Sequence, residues 1–268
     1  MELPFFIVDA FTSPKLKGNP TAVCIVENQL PPGTMLSIAK ELDFPVTAFI
    51  EKISPGMNYK IKYYTTTTEI PACGHATLAS SKIVFDNELI SHVNFETIEN
   101  NIIEVKSKDD IICMTYPKFS TEAVDVSSAL LESLGLNKYK SAGVCKELDT
   151  LFIEVDNAKV VKGLRPHYEM LRKSNTEIIE VVVTAVSDDP EYDFMLRSFC
   201  PWIGIDEDPV TGSVHSVLGG FWKSRLGKTE LLAYQASERG GKIYVKAFDN
   251  KVEICGEAIT IVKGKLET

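Results

Sequence analysis

Three acidic residues, Asp206, Glu207 and Asp208, stand immediately before a segment that predicts the start of a helix. Pro209 can end a strand, and the segment 211–213 (Thr-Gly-Ser) can cap and begin a helix. The first turn of a helix has free backbone N–H groups and a partial positive charge, which suit a bound carboxylate or enolate. A neighbouring acid could exchange a proton with that bound group. An acidic loop that only caps the helix is the alternative.

The first half of the chain contains a second stretch of the same kind, centred on His75. A strand-like alternation that ends near Tyr63 is followed by Glu69 and Pro71, and Gly74 then begins a helix. Near the positive end of a helix dipole the neutral imidazole should be favoured. His75 could therefore hydrogen-bond a substrate or exchange a proton with it. A capping or core-edge histidine is the alternative.

The other three histidines lack this context. We expect His92 and His167 to be surface or packing residues. His215 follows Ser213 by two residues, and we expect it to be buried with its hydrogen bonds satisfied.

Two helix starts with acids nearby predict acid/base catalysis on a small carboxylated compound, without a metal or a cofactor. A two-base racemase with a pair of cysteines is one form of such chemistry. Cys73 precedes Gly74 and supplies one thiol, but the matching place before Gly212 holds Val210 and Thr211. The pattern therefore disfavours a two-thiol mechanism.

The flanks of the two stretches repeat as well, at an interval of about 138 residues. Asn94–Thr97 and Ala233–Ala236 correspond, and each is followed by two strand-like runs. Solenoid repeats are about 20 to 50 residues long, so this interval is too long for a solenoid. It indicates two similar lobes, whose helix starts would face each other across a cleft.

The arrangement of strands and helices predicts an α+β fold rather than a wound βαβ fold. Many short strands surround two central helices, and Pro117–Thr121 is the best candidate for a linker. We therefore expect an N-terminal lobe at 1–117 and a C-terminal lobe at 121–257. The remaining strand and tail, 258–268, could pack back on the N-terminal lobe.

The composition is typical of a soluble enzyme-sized protein: 268 residues, 44% hydrophobic and 24% charged. A net charge of −9 argues against nucleic-acid partners and anionic membrane surfaces. No apolar run approaches 18 residues, and the first residues lack a basic signal-peptide region. Neither a Gly-x-Gly-x-x-Gly motif nor a phosphate loop is present, so no nucleotide cofactor is implied.

The six cysteines are scattered, and none form a Cys-x-x-Cys pair. The pattern therefore suggests neither a zinc site nor a disulfide framework. Several lie in apolar runs, as Cys24 does, and should be small buried hydrophobic residues. This usage fits the reducing cytoplasm, which is our expectation for localisation.

Three motifs occur in order along the chain: Gly18-Asn19-Pro20, Cys73-Gly74-His75-Ala76-Thr77 and Glu207-Asp208-Pro209-Val210-Thr211-Gly212-Ser213. Together they resemble the PhzF-like proteins of phenazine biosynthesis, relatives of diaminopimelate epimerase. The resemblance implies two pseudo-symmetric lobes, each a curved, mostly antiparallel sheet around a central helix, with the active site between them. It also implies cofactor-free isomerisation, by proton shift, of a small cyclic amino acid or hydroxy acid, commonly in a homodimer.

The resemblance also implies roles for individual residues. The family's histidine corresponds to His75, its aspartate to Asp208 and its serine to Ser213. Substrate binding is expected from six residues: Asn19, Cys73, Gly74, Thr211, Gly212 and Ser213.

One position departs from the family pattern. The family carries a proton-transferring glutamate in the motif that corresponds to Pro45–Phe49, and this chain has Val46 at that position. A valine cannot transfer a proton, and Glu41 is a poor substitute because the family has a glutamate there as well. Two hypotheses follow: Asp208 and His75 act as a different acid/base pair, or the protein binds a ligand, in a regulatory role, without turnover.

Overall fold

The computed structural model describes residues 2–27, 30–53, 56–175 and 177–268. The chain divides into two compact units. Unit 1 comprises Met1–Thr115 and Glu253–Thr268, and unit 2 comprises Tyr116–Val252. In the described part of the chain, no helix is long and apolar enough to cross a membrane.

Among its described residues, unit 1 contains two α-helices and the strands of the first part of the chain. The strands are β1 (Glu2–Ala10), β2 (Asn19–Val26), β3 (Thr47–Ile53), β4 (Asn58–Tyr64), β5 (Glu69–Ile70), β6 (His92–Glu96), β7 (Ile102–Lys108) and β8 (Ile111–Pro117), the last of which continues past the sequence boundary of the unit. The helices are α1 (Pro32–Leu42) and α2 (Gly74–Glu88). The C-terminal strand, residues Ala258–Glu267, pairs antiparallel with β1.

Among its described residues, unit 2 contains four α-helices and the strands that follow β8. Its elements are β9 (Glu122–Ala123), α3 (Ser128–Leu134), β10 (Ser141–Cys145), β11 (Thr150–Glu154), α4 (Ala158–Gly163), α5 (Tyr168–Ser174), β12 (Glu180–Val186), β13 (Phe194–Cys200), β14 (Ile205–Asp208), α6 (His215–Leu226), β15 (Glu230–Gln235) and β16 (Gly241–Ala247). Next come β17 (Lys251–Gly256), which spans the sequence boundary at Glu253, and then the C-terminal strand, β18.

The two units repeat one pattern of strand pairing. In unit 1, β2 pairs parallel with β3 and β4 pairs parallel with β6, while the other described pairings are antiparallel. In unit 2 the same two parallel pairs recur as β11 with β12 and β13 with β15. The mostly antiparallel sheets around a buried helix confirm the α+β fold predicted from the repeat.

Each unit has one helix that is buried on nearly every side. Residues 75–81 of α2 are all buried, including polar Thr77, Ser80 and Ser81. In α6, Trp222 is fully buried, stacks on Phe194, and donates its indole N–H to Thr184. A helix buried on nearly every side lies within the core of its unit.

The structure places several boundaries differently from the sequence pattern. Helix α1 begins at Pro32, since proline suits the first helical turn, where its missing N–H has no helical partner. The three acids lie in strand β14, which pairs with β13, and not in a turn. Short elements such as β10 and α4 were not predicted, because five or six residues carry little periodic signal.

The prediction that the cysteines form no disulfide is wrong. Cys113 and Cys255, 142 residues apart, form a disulfide, and both belong to unit 1. Cys24, Cys73, Cys145 and Cys200 are not disulfide-bonded. Cys24 is fully buried, as expected for a small hydrophobic residue, and burial raises the pKa of its thiol to about 12. Spacing did not reveal the pair, because folding, and not sequence proximity, brings these two strands together.

Candidate active site

The start of α2 offers hydrogen-bond donors that no side chain caps. Cys73 occupies the cap position in an extended conformation, and its side chain makes no capping hydrogen bond. The first N–H groups of any α-helix have no partner within the helix, so Gly74 and its neighbours present donors at the positive end of the dipole. This is the arrangement that can hold a small anion.

His75 lies in the first turn of α2 and is only 6% exposed. The Cys73 sulfur lies 3.5 Å from its Nδ1 and 3.4 Å from its Nε2. Burial lowers the pKa of His75 to about 3, so the imidazole is neutral at physiological pH. A neutral ring of this kind is a weak base, and it is better suited to donating a hydrogen bond to a developing negative charge.

Two further side chains support the start of α2. The Thr77 hydroxyl lies 2.8 Å from the Cys73 carbonyl oxygen, to which it donates, and 2.6 Å from the hydroxyl of Tyr63 in β4. Both Thr77 and Tyr63 are buried. The cap residue is therefore held to the strand that precedes it, which keeps His75 and Cys73 in place.

The three acids of unit 2 have different environments. The side chain of Asp206 is exposed. Glu207 is engaged in a two-point ion pair with the guanidinium of Arg197, at 2.7 Å for each contact. Asp208 is only 7% exposed, and its Oδ2 accepts a 2.5 Å hydrogen bond from the Thr211 hydroxyl. Asp208 is thus buried at the end of β14, in contact with the turn that precedes α6.

Gln235 stabilises the turn that precedes α6, and the sequence motifs assign it no role. Its side chain is fully buried, accepts from the Thr211 N–H at 2.8 Å, and donates to the Asp208 carbonyl oxygen at 2.7 Å. Leu231, Ala233 and Gln235 are the buried residues of β15. A lone amide on the buried face of an alternating strand is the signal that could have identified it, because such a group needs hydrogen-bond partners.

Helix α6 begins three residues later than the motif suggests. Gly212 and Ser213 lie in turns before it, where the carbonyl oxygens of Gly212 and Ser213 accept from the N–H groups of His215 and Ser216. These i to i+3 bonds tighten the entry to the helix. Gly212 and Ser213 therefore lie next to the start of a helix, as predicted, but they belong to the turns before the helix and not to its first turn.

His215 is only half satisfied, and the expectation that all its hydrogen bonds are made is wrong. Its Nδ1 lies 3.0 Å from the Thr211 carbonyl oxygen and 3.2 Å from that of Gly212, so Nδ1 carries the proton. Its Nε2 is buried and has no partner among the described residues. Burial lowers the pKa of His215 to about 4, although the hydrogen bonds to the two carbonyl oxygens act in the opposite direction and raise it.

The remaining predicted residues of unit 1 are buried. Asn19 begins β2 opposite Ala10 and is fully buried. Val46, at the family's glutamate position, is 2% exposed and directly precedes β3. Gly18 has a φ of +67°, and a Cβ there would lie 2.2 Å from the Ala10 carbonyl oxygen. Only glycine fits the turn that presents Asn19.

We expect Gly18→Ala to destabilise the protein by at least about 1 kcal/mol, since the added methyl group meets a backbone oxygen and φ is positive. Gly33→Ala in α1 is the matched control. A Cβ at Gly33 meets nothing within 4 Å, so this substitution should be neutral or stabilising by up to about 1 kcal/mol. Urea denaturation measures both, and equal effects would contradict the steric explanation.

The buried histidines should make stability depend on pH. Their pKa values, about 3 for His75 and about 4 for His215, lie below the value of roughly 6.5 expected in the unfolded chain. Below pH 6.5 the unfolded chain therefore binds protons that the folded chain does not, and stability falls as pH falls. Each histidine contributes up to about 1.4 kcal/mol per pH unit. Urea midpoints between pH 7 and 5 should show a shallower slope for His75→Gln, and an unchanged slope would contradict burial of a neutral ring.

Comparison with known proteins identifies the family. The family model described as phenazine biosynthesis-like protein matches residues 8–264. This chain belongs to that family. It is 35% identical to an uncharacterized isomerase of Halalkalibacterium halodurans over 270 residues, which is 99% of each chain. It is 32% identical to the human phenazine biosynthesis-like domain-containing protein over 286 residues, again 99% of each.

A solved structure agrees with the fold. The crystal structure of a PhzF-family phenazine biosynthesis protein of Enterococcus faecalis matches with a TM-score of 0.93 and 33% identity over the full length of both chains. The resemblance inferred from the three motifs is thus confirmed. Within this PhzF-family chain, unit 1 brings together Cys73, Gly74 and His75. Unit 2 brings together Asp208 and Thr211, and the two catalytic candidates belong to different units.

Proposed function

We propose that this PhzF-family protein is a cofactor-independent isomerase that moves a proton on a small carboxylated metabolite. The observation that supports this most is Asp208, a buried carboxylate held by Thr211 at the entrance to α6. Of the three neighbouring acids, Glu207 is committed to Arg197 and Asp206 is exposed. Asp208 is therefore the acid we assign to proton transfer.

In this proposal Asp208 and His75 are the catalytic residues. The Asp208 carboxylate removes a proton from the carbon next to the substrate's carboxyl or carbonyl group, and the electron pair forms an enolate. The neutral His75 ring donates a hydrogen bond to the enolate oxygen. Asp208 then returns the proton to a different carbon or to the opposite face, which completes the isomerisation.

The remaining motif residues bind the anion in this proposal. The backbone N–H groups of Gly74, Gly212 and Ser213 hold the carboxylate, because turns and helix starts present donors that need no counter-charge. The Thr211 hydroxyl orients Asp208. Asn19 and Cys73 contact the substrate from unit 1. Association as a homodimer and a cytoplasmic location stay predictions from the resemblance and the composition.

Deuterium exchange tests the proposal. The purified protein is incubated in heavy water with a panel of small cyclic amino acids and hydroxy acids, and deuterium incorporation is followed by NMR. We expect incorporation at the carbon next to the carboxyl group in at least one compound. Absence of exchange across a broad panel of carboxylated compounds would argue for the second candidate.

The second candidate is a ligand-binding or regulatory protein without turnover, and Val46 is the observation that favours it. This side chain is apolar and buried at the position where the family carries its proton-transferring glutamate. The candidate predicts that carboxylated ligands raise the melting temperature while no deuterium enters them. Turnover at a rate comparable with glutamate-bearing relatives would exclude it.

Val46→Glu distinguishes the two candidates. If the site retains the family's arrangement, restoring the carboxyl group should raise exchange by about 10²-fold or more, the usual contribution of a positioned acid or base. Val46→Gln is the matched control, because it has similar shape and no titratable group. Both variants should lose stability, because a polar group replaces the two buried methyl groups of Val46. For Val46→Gln the loss should be roughly 1–3 kcal/mol. Equal exchange by the two variants would show that position 46 does not reach the substrate.

A further inference from the structure

Unit 2 contains a cavity of about 210 Å³ between α6 and the strands β10 and β11. Val217, Phe221 and Arg225 line it from α6 at intervals of four residues, which places them along one stripe of the helix. Phe152 and Glu154 line it from β11, where alternate residues face the same side. The cavity thus has apolar walls and one charged end.

The charged end is an ion pair with unused hydrogen-bonding capacity. Arg225 Nη2 donates to Glu154 Oε2 at 2.7 Å and to Ser141 Oγ at 3.2 Å. Ser141 Oγ donates to the same Oε2 at 2.9 Å. Among the described residues, Glu154 Oε1 and the Nε and Nη1 of Arg225 have no hydrogen-bond partner. Glu154 is only 7% exposed, whereas Arg225 is exposed and its guanidinium lies over the ring of Phe221. The open oxygen of Glu154 and the open N–H groups of Arg225 can therefore bind water or a ligand that enters the cavity.

The open oxygen of the Glu154 carboxylate can accept from a donor, and the open N–H groups of the exposed Arg225 guanidinium can donate to an acceptor. One small molecule that supplies both is a zwitterion: an ammonium group for Glu154 Oε1 and a carboxylate for Arg225. A simple anion would meet the Glu154 carboxylate, and a simple amine would meet the Arg225 guanidinium. The ion pair therefore favours an amino acid over either single charge.

The size and the walls define the rest of the ligand. A volume of 210 Å³ is about seven times the share of one liquid water and lies below the range of drug-sized pockets. Phe152, Val217 and Phe221 offer apolar surface to a short side chain. We propose that this cavity is a binding site for a free aliphatic α-amino acid, held by Glu154 and Arg225.

The cavity is distinct from the proposed active site. Arg225 lies ten residues after His215 on α6, about 15 Å along the helix axis, so the charged end of the cavity is near the opposite end of that helix from Thr211, and no proposed active-site residue lines the cavity. The inference does not rest on the proposed isomerase activity.

Two tryptophans provide a built-in measurement of occupancy. The chain has two, Trp222 and Trp202. Trp222 donates its indole N–H to the hydroxyl of Thr184 at 3.1 Å, and Thr184 lines the cavity. Trp202 donates to the carbonyl oxygens of Arg172 and Asn175, outside the cavity lining. Their two indole N–H signals in a ¹H–¹⁵N NMR spectrum can be assigned with Trp202→Phe.

The experiment titrates the full-length protein with L-leucine, isovalerate and isoamylamine, which share a branched apolar body and differ in charge. We expect L-leucine to shift the Trp222 signal saturably and to leave the Trp202 signal unchanged. Isovalerate and isoamylamine should bind at least 10-fold more weakly. Equal binding by isovalerate or by isoamylamine would overturn the assignment to a zwitterion. If the Trp222 signal did not shift with L-leucine at about 50-fold molar excess over the protein, and up to roughly tens of millimolar, the site itself would be overturned.

Variants tie the signal to the cavity. Glu154→Gln and Arg225→Met should each weaken L-leucine binding at least 10-fold. Ala123→Phe, at an exposed residue of β9 that lines the cavity, should block it without disturbing the ion pair. Lys162→Ala, which breaks the exposed ion pair with Asp188, is the matched control and should leave binding unchanged. Asp208→Asn should also retain L-leucine binding. If Asp208→Asn lost L-leucine binding while Ala123→Phe kept it, L-leucine would bind in the proposed active site instead.

Discussion

Asp208→Asn should reduce deuterium exchange into the substrate by about 10²- to 10⁴-fold, the range found when a positioned acid or base is removed. The amide oxygen of asparagine can still accept the hydrogen bond that the Thr211 hydroxyl now donates to Oδ2. The turn and the melting temperature should therefore change little. The rate loss would report the missing carboxylate rather than a displaced backbone.

Asp206→Asn is the matched control for this prediction. It makes the same chemical change two residues away, at an exposed side chain on the same strand. We expect its exchange rate to equal that of the unaltered protein. If both variants lost activity equally, the effect would come from the local charge, and if Asp208→Asn retained full exchange, the assignment of Asp208 would fail.

Loss of the Cys113–Cys255 disulfide should produce the largest change in stability. The bond closes a loop of 142 residues, which includes the whole of unit 2. The chain-entropy model assigns about 5 kcal/mol to a loop of this length, as an upper value. In a protein of this size that corresponds to a decrease in melting temperature of roughly 10 °C or more. The double variant Cys113→Ser/Cys255→Ser should show this decrease in differential scanning calorimetry.

Reductant and thiol counting provide the controls for the disulfide. Dithiothreitol should lower the melting temperature of the unaltered protein towards that of the double variant and leave the variant unchanged. Thiol titration after denaturation should find four reactive cysteines without reductant and six with it. Six reactive cysteines without reductant, with equal melting temperatures for both proteins, would show that the bond does not form.

The catalytic candidates became distinguishable only through local geometry. The sequence shows three consecutive acids before a helix, and nothing in their order separates them. Their burial does: Asp206 and Asp208 lie on the same face of β14, but Asp206 is exposed whereas Asp208 is buried beside the turn that precedes α6. Arg197, the one charged residue in the otherwise uncharged β13, then engages Glu207. Strand pairing between β13 and β14 brings these charges together, and no spacing rule predicts it.

The polar supports of the site were also outside the reach of the sequence pattern. Gln235 is 24 residues from Thr211 along the chain, yet its amide makes hydrogen bonds on both sides of the turn before α6. The alternating pattern of the sequence indicates that Gln235 lies in a strand, but it does not reveal that the side chain contacts Thr211 and Asp208. The same holds for Tyr63 and Thr77, which meet because α2 lies against β4.

By itself, the sequence determined the family, the α+β class and the two helices around which the units fold, since these depend on short motifs, on apolar periodicity and on a repeat within one chain. The tertiary structure decided which acid is buried at the turn, which histidine nitrogen lacks a partner, and which two cysteines pair. It also created the charged cavity beside α6, where Glu154 and Arg225 meet across 71 residues. Such contacts join residues that are far apart in sequence, and they arise only when strands and helices pack, because burial then favours structures in which most polar groups have a partner.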